Sequence, residues 1–149
     1  MTITPISPAE PPARAIIAAL DAEIMRRYPD GEVHGIDVVN FNQAGGYFVL
    51  GQEGDAVIAC GAFRPLDTAT AEIKRMFVHA SARKKGCARQ IMRHLEAEIR
   101  QRGHTRIVLE TGIGQPEAMA LYESEGYVPI PTFGEYIGNE LSRCYAKKL

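Results

Sequence analysis

The sequence predicts an α/β (or α+β) domain, a twisted mixed β-sheet flanked by helices. Three observations carry this. Two short β-rich runs, 47–51 and 56–63, flank Gln52-Glu53-Gly54-Asp55, which has the composition of a hairpin turn. From about residue 85 to 102, Ala88, Ile91, Met92, Leu95 and Ile99 form one apolar stripe, with Glu96/Arg100 and Glu98/Arg102 as i,i+4 pairs outside it. A further β-rich run, 106–111, follows that helix, so strands and helices interleave along the chain.

Each element has its own local cause. Residues 5–12 hold four prolines in eight residues, so 1–12 reads as an extended or mobile lead-in. Ile16, Ile17, Leu20 and Ile24 then recur at helical spacing over about 12–28, until Pro29-Asp30-Gly31 breaks the run. Residues 32–44 carry strand-like Val33, Ile36, Val38, Val39 and Phe41 interrupted by Gly35, Asn40 and Asn42, and stay unassigned. The run 56–63 is apolar on both faces, which places it centrally in the sheet. In 70–78 alternation fails: Glu72, Lys74 and Met76 would share one face and Ile73, Arg75 and Phe77 the other, a charged pattern that predicts a bulge or a site. Gly103 stops the long helix, Pro116 opens a short one closed by Gly126, and 141–147 reads as a terminal strand.

At 149 residues the chain is one ordinary domain. Its 46% apolar and 23% charged residues exclude disorder, and no apolar run approaches the ~18 residues of a membrane span. The first 15 residues lack a basic segment ahead of an apolar core, so a cytoplasmic protein is expected. Cys60, Cys87 and Cys144, like His34, His79, His94 and His104, are scattered, and no metal site is expected. The net charge of −1 conceals polarity: between Arg64 and Arg106 there are 11 Lys or Arg against 4 Asp or Glu, and elsewhere 6 against 14. Such a local basic stretch points to a small anionic ligand rather than to nucleic acid, which usually meets a wholly basic domain.

That stretch centres on Arg83-Lys84-Lys85-Gly86-Cys87-Ala88-Arg89, between a strand and the long helix. First-turn amides lack intrahelical partners and sit at the positive end of the dipole, and Gly86 carries no Cβ to hold a pyrophosphate away. The loop is neither a Walker A sequence nor a GxGxxG dinucleotide turn.

Glu72-Ile73-Lys74-Arg75-Met76-Phe77-Val78, then Arg83 to Ala88, then Ala118-Met119-Ala120-Leu121-Tyr122 and Gly126-Tyr127 together resemble the GNAT family of acetyl-CoA-dependent N-acetyltransferases. The hexad from Arg83 is similar to that family's (Q/R)xxGx(G/A) pyrophosphate loop, and Ala118 to Tyr127 to its AxxLYxxxG(F/Y) helix and turn. The resemblance covers about Val57 to Tyr127. It implies a splayed cleft between 70–78 and 106–111 in which acetyl-CoA lies, its pantetheine along Met76, Phe77 and Val78. The pyrophosphate would rest on the loop, at Arg83, Lys84, Lys85, Gly86, Cys87, Ala88 and Arg89. Gln115 stands where many members have Asn. Tyr122 takes the place of the acid that protonates the departing thiolate, a task suited to a phenol that is neutral at pH 7.

An amine substrate arrives mostly as ammonium, so a base is needed, and Glu72, which takes the place of the base in histone-acetyltransferase-like members, is the first candidate. Glu110 is the second. Cys87 is not read as a nucleophile, because direct transfer needs no acyl-enzyme and no His partner is indicated. Phe133, Gly134 and Tyr136 are candidates for a substrate-side wall. The expected function is acetyl transfer to a primary amine of a small molecule or amino acid, without metal, nucleic acid or membrane, by a monomer or homodimer. The alternatives are a non-catalytic acyl-CoA-binding regulatory module and a nucleotide-binding module.

Overall fold

A computed structural model describes residues 1–31 and 35–149; Val33 and His34 lie outside the described residues. The chain runs β1 (Thr2–Pro5), α1 (Pro11–Arg27), α2 (Val38–Gln43), β2 (Tyr47–Glu53), β3 (Ala56–Pro65), β4 (Thr70–Val78), α3 (Cys87–Gln101), β5 (Arg106–Gly112), α4 (Pro116–Ser124), β6 (Val128–Ile130) and β7 (Ser142–Lys148). The strands form one sheet in the order β1-β2-β3-β4-β5-β7-β6. Among the described residues only the β4–β5 pair is parallel, with α3 as its crossover. Among the described residues no helix is long and apolar enough to cross a membrane.

Three features depart from the sequence reading. The proline-rich lead-in begins with a paired strand: β1 lies antiparallel on β2, and Ile6 continues the pairing onto the Phe48 carbonyl at 3.0 Å. Part of the unassigned segment is helical, because the Asp37 carboxylate accepts from the Val39 and Asn40 amides and Phe41 is buried. The short edge strand β6 pairs with β7 and has no counterpart in the sequence pattern.

Each face of the sheet has its own core. Ile91, Met92, Leu95 and Ile99 of α3 are fully buried against Phe63, Ile73, Ile107 and Leu109, each worth about 1.5–3 kcal/mol of burial. On the other face Ala13, Ile16 and Leu20 of α1 pack with Phe41, Phe48, Cys60 and Phe77. A bulge interrupts β4: Lys74 opposes Ala62 and Phe77 opposes Cys60, so Gly61 faces both Arg75 and Met76, and Arg75 sits at φ 59°. The extra residue reverses the alternation. Ile73 and Met76 therefore share the α3 side, while Phe77 turns toward α1, which corrects the faces expected from strict alternation.

Gly61 is the seat of that bulge. A Cβ there would stand 2.5 Å from Ile91 Cγ2 and 2.8 Å from Met76 Sδ. Gly61→Ala is expected to lift α3 from the sheet and to destabilise by about 1–3 kcal/mol, read from a urea denaturation midpoint.

Candidate active site

β4 and β5 pair over only four positions, Thr70↔Arg106 to Ile73↔Leu109, and beyond them the strands part. The β4 edge facing the gap can be read from the other side. His79 donates to the Ile58 carbonyl on β3 at 2.8 Å, so by alternation Met76 and Val78 turn their amides and carbonyls toward the gap. The Val78 carbonyl already accepts from Arg83 Nε at 2.9 Å.

Two clefts open on either side of the splay. The first, about 390 Å³, is lined by Met76, Phe77 and Val78 and by the start of α3, including Lys84, Gly86, Ala88 and Arg89, and is closed by Ala118 and Leu121 of α4. The second, about 310 Å³, is lined by Lys74, Arg75, Glu110, Thr111, Tyr136 and Asn139, with Ile24 and Tyr28 from α1. Leu20, Met76, Gln115 and Tyr122 line both, so the clefts meet at Tyr122.

The α3 end of the first cleft is shaped to receive an anion. Lys84 and Gly86 are both left-handed, at φ 64° and 80°, and the first helical amide with a backbone acceptor is that of Gln90, on the Gly86 carbonyl at 3.1 Å. Among the described residues the amides of Cys87, Ala88 and Arg89 meet no backbone acceptor, as in a first helical turn open to an anion. Lys84 and Lys85 are exposed, whereas the Arg83 guanidinium is held by Glu23 at 2.6 Å and lies over Phe77. Arg89 bonds Ser124 Oγ at 3.1 Å. Cys87 is buried, packs in the α3-side core and also lines the first cleft. Unpartnered amides, a left-handed turn and an unpaired strand edge fit the pyrophosphate and pantetheine of an acyl-CoA.

Tyr122 is 6% exposed and packs its ring against Tyr127 and Tyr145. Its hydroxyl makes no hydrogen bond among the described residues. Burial, and then the nearby Glu110 charge, push its pKa far above the ordinary tyrosine value. Gln115 Oε1 accepts from the Gly112 amide at 3.3 Å, so its side chain holds the turn that enters α4.

The two candidate carboxylates differ sharply. Glu72 is 0% exposed and spends both oxygens: Oε1 accepts from Arg64 at 2.9 Å and Oε2 from the Tyr136 hydroxyl at 2.7 Å. It lines neither cleft, so its geometry does not fit the base expected from the sequence. Glu110 lines the second cleft and accepts from Ser142 Oγ at 2.6 Å. Tyr136 lines the same cleft, and Phe133 packs edge-on against it at 5.3 Å.

Sequence reading missed the contribution of α1. The Gly114 amide donates to the Tyr28 hydroxyl at 2.8 Å, and Arg27 donates to the Gly114 carbonyl at 3.0 Å, so the end of α1 clamps the β5–α4 turn. The glycines at 112 and 114, which leave room for the Tyr28 ring, were the available signal. Among the described residues no group of His, Cys, Asp and Glu is placed to hold a metal ion.

A seven-stranded mixed sheet, splayed beside the N-terminus of α3, is the arrangement of an acyl-CoA transferase fold. The acetyltransferase (GNAT) family model matches residues 15–127. The chain is 31% identical to an IAA acetyltransferase of Azospirillum brasilense, over all of this chain and 98% of that one. It superposes with a TM-score of 0.83, at 29% identity and over 99% and 97% of the two chains, on a Klebsiella pneumoniae protein assigned as an acyl-CoA N-acyltransferase. A GNAT acetyltransferase of Elizabethkingia anophelis, solved with acetyl-CoA bound, shares the fold at TM-score 0.72 and 18% identity, over 99% and 97% of the chains. The chain belongs to the GNAT family and is an acetyl-CoA-dependent N-acetyltransferase. The non-catalytic and nucleotide-binding alternatives are set aside.

Proposed function

We propose that this enzyme transfers acetyl directly to the primary amine of a small molecule that enters the second cleft, with Tyr122 as acid and Glu110 as base. The observation that carries the reading is the meeting of an anion-binding cleft and a carboxylate-bearing cleft at one buried phenol. Acetyl-CoA supplies an acetyl group activated as a thioester. Lys84, Gly86 and the amides of Cys87, Ala88 and Arg89 hold its pyrophosphate, and the β4 edge at Met76 and the Val78 amide aligns its pantetheine. The Met76 amide at the bulge faces the gap and can donate to the acyl oxygen as charge develops there. Glu110 takes a proton from the ammonium, and the neutral amine attacks the acyl carbon. The Tyr122 hydroxyl gives its proton to the departing sulfur. The nitrogen of the adduct, still one proton richer than an amide, gives that proton to the Tyr122 oxygen, which restores the phenol, and Glu110 releases the first amine proton to solvent.

In this scheme Glu72 is a positioning residue, holding the Tyr136 hydroxyl toward the acceptor cleft. Glu110→Gln is expected to lower kcat/KM at least about 100-fold with the amine substrate at neutral pH. The deficit should shrink as pH rises and the amine arrives neutral. CoA thiol release across pH on folded protein reads both. An unchanged rate in Glu110→Gln, with a pH-dependent loss in Glu72→Gln, overturns this assignment of the base.

A further inference from the structure

We propose that the acceptor amine carries a carboxylate, held by Lys74, so that the substrate class is an amino acid; this rests on the amine-acetylation reading above. The strand register sets the arrangement. Ile73↔Leu109 is the last pair before the splay, and both side chains pack on the α3 side. Lys74 and Glu110 are the next residues on the two strands and point to the opposite face, where both line the acceptor cleft. A cation and an anion thus stand on adjacent strands at the mouth of the splay.

Lys74 is held in place, not left as a mobile surface lysine. Its side chain is 4% exposed, and Nζ donates to Tyr136 Oη at 3.1 Å and to Glu135 Oε1 at 3.2 Å. Tyr136 is fixed in turn by Glu72, and Glu72 by Arg64. An ammonium has three donors, and among the described residues two are used. Lys74 lines the cleft, so a ligand carboxylate there can take the third donor with a charge-assisted bond. Arg75, beside it, lines the same cleft and is paired with Asp21. Its buried Nε has no acceptor among the described residues.

The placement of the charges sets which end of the ligand goes where: Lys74 keeps one donor beyond its bonds to Glu135 and Tyr136, and Glu110 stands on the adjacent strand. A zwitterion matches both, its ammonium toward Glu110 and its carboxylate toward Lys74. The same contacts orient the amine toward Tyr122 and the thioester junction.

The test is a panel of matched acceptors: phenylalanine with phenylalaninamide and phenethylamine, and leucine with leucinamide and isoamylamine. Wild type is expected to prefer the free acid in each set by about tenfold or more in kcat/KM. Lys74→Met, shown folded by its melting curve, should lose that preference through KM rather than kcat. A second arm needs no turnover: calorimetry should show N-acetylphenylalanine binding more tightly than its carboxamide, and Lys74→Met should erase the difference. Equal or better turnover of the amides and decarboxylated amines overturns the carboxylate inference while leaving amine acetylation standing. Lys74-dependent binding of N-acetylphenylalanine without acetylation of any amine retains the carboxylate site and overturns the amine-acetylation reading. Absence of both turnover preference and binding preference overturns the inference.

Discussion

Tyr122→Phe is expected to lower kcat by about 100-fold or more while leaving CoA affinity and stability close to wild type. The substitution removes one oxygen and keeps the ring that packs against Tyr127 and Tyr145. Among the described residues no protein group loses a hydrogen bond, so the folded state gains no unsatisfied partner. What is lost is the only hydroxyl common to both clefts among the described residues. The direction of its pKa adds a second expectation. Burial and the Glu110 charge raise it well beyond the ordinary tyrosine range, so the donor stays protonated through pH 10. The wild-type kcat should therefore show no falling limb from phenol ionisation between pH 7 and 10. A stopped assay of thiol release over that range, run on both proteins, checks rate and profile together. Wild-type turnover by Tyr122→Phe would transfer the acid role to water.

Much of this site was legible before the fold was known, because its parts are local. The loop from Arg83 to Arg89 is one strand-to-helix turn, and the Tyr122 helix and turn are contiguous in sequence. The failed alternation in 70–78 marked the bulge at Arg75 for the same reason. Long-range pairing was not legible. Glu72 is paired with Arg64 across the β3–β4 ladder and accepts a hydrogen bond from Tyr136, 64 residues away, and no spacing rule announces either. The sequence reads it as a candidate base, whereas in the structure it is buried with both oxygens bonded. Residues 38–43 hold two adjacent valines and look strand-like, but the Asp37 cap and burial of Phe41 override that propensity. β1 and β6, with four and three residues, are too short to show a period and exist through their ladders with β2 and β7.

Gly86→Glu is expected to abolish measurable CoA binding in a protein that still folds. Gly86 caps α3 in the left-handed region at φ 80°, and a Cβ built there meets nothing within 4 Å. The strain of a non-glycine residue costs about 1–2 kcal/mol, which a domain of this size tolerates. The carboxylate is the decisive part. It would stand at the open amides of Cys87, Ala88 and Arg89, where it can accept their hydrogen bonds and repel a pyrophosphate. Gly86→Ala carries the same backbone strain without the charge, so it should lose stability equally and CoA affinity much less. Lys84→Ala should weaken binding only modestly, and the difference should fade with added salt, because Lys84 is exposed and its field is screened over ~8 Å at physiological ionic strength. Calorimetric titration of CoA into the three variants, with melting curves alongside, separates strain from charge. Wild-type affinity in folded Gly86→Glu would remove the pyrophosphate from this turn, while equal losses in Gly86→Ala and Gly86→Glu would assign the effect to backbone geometry rather than to the anion-binding amides.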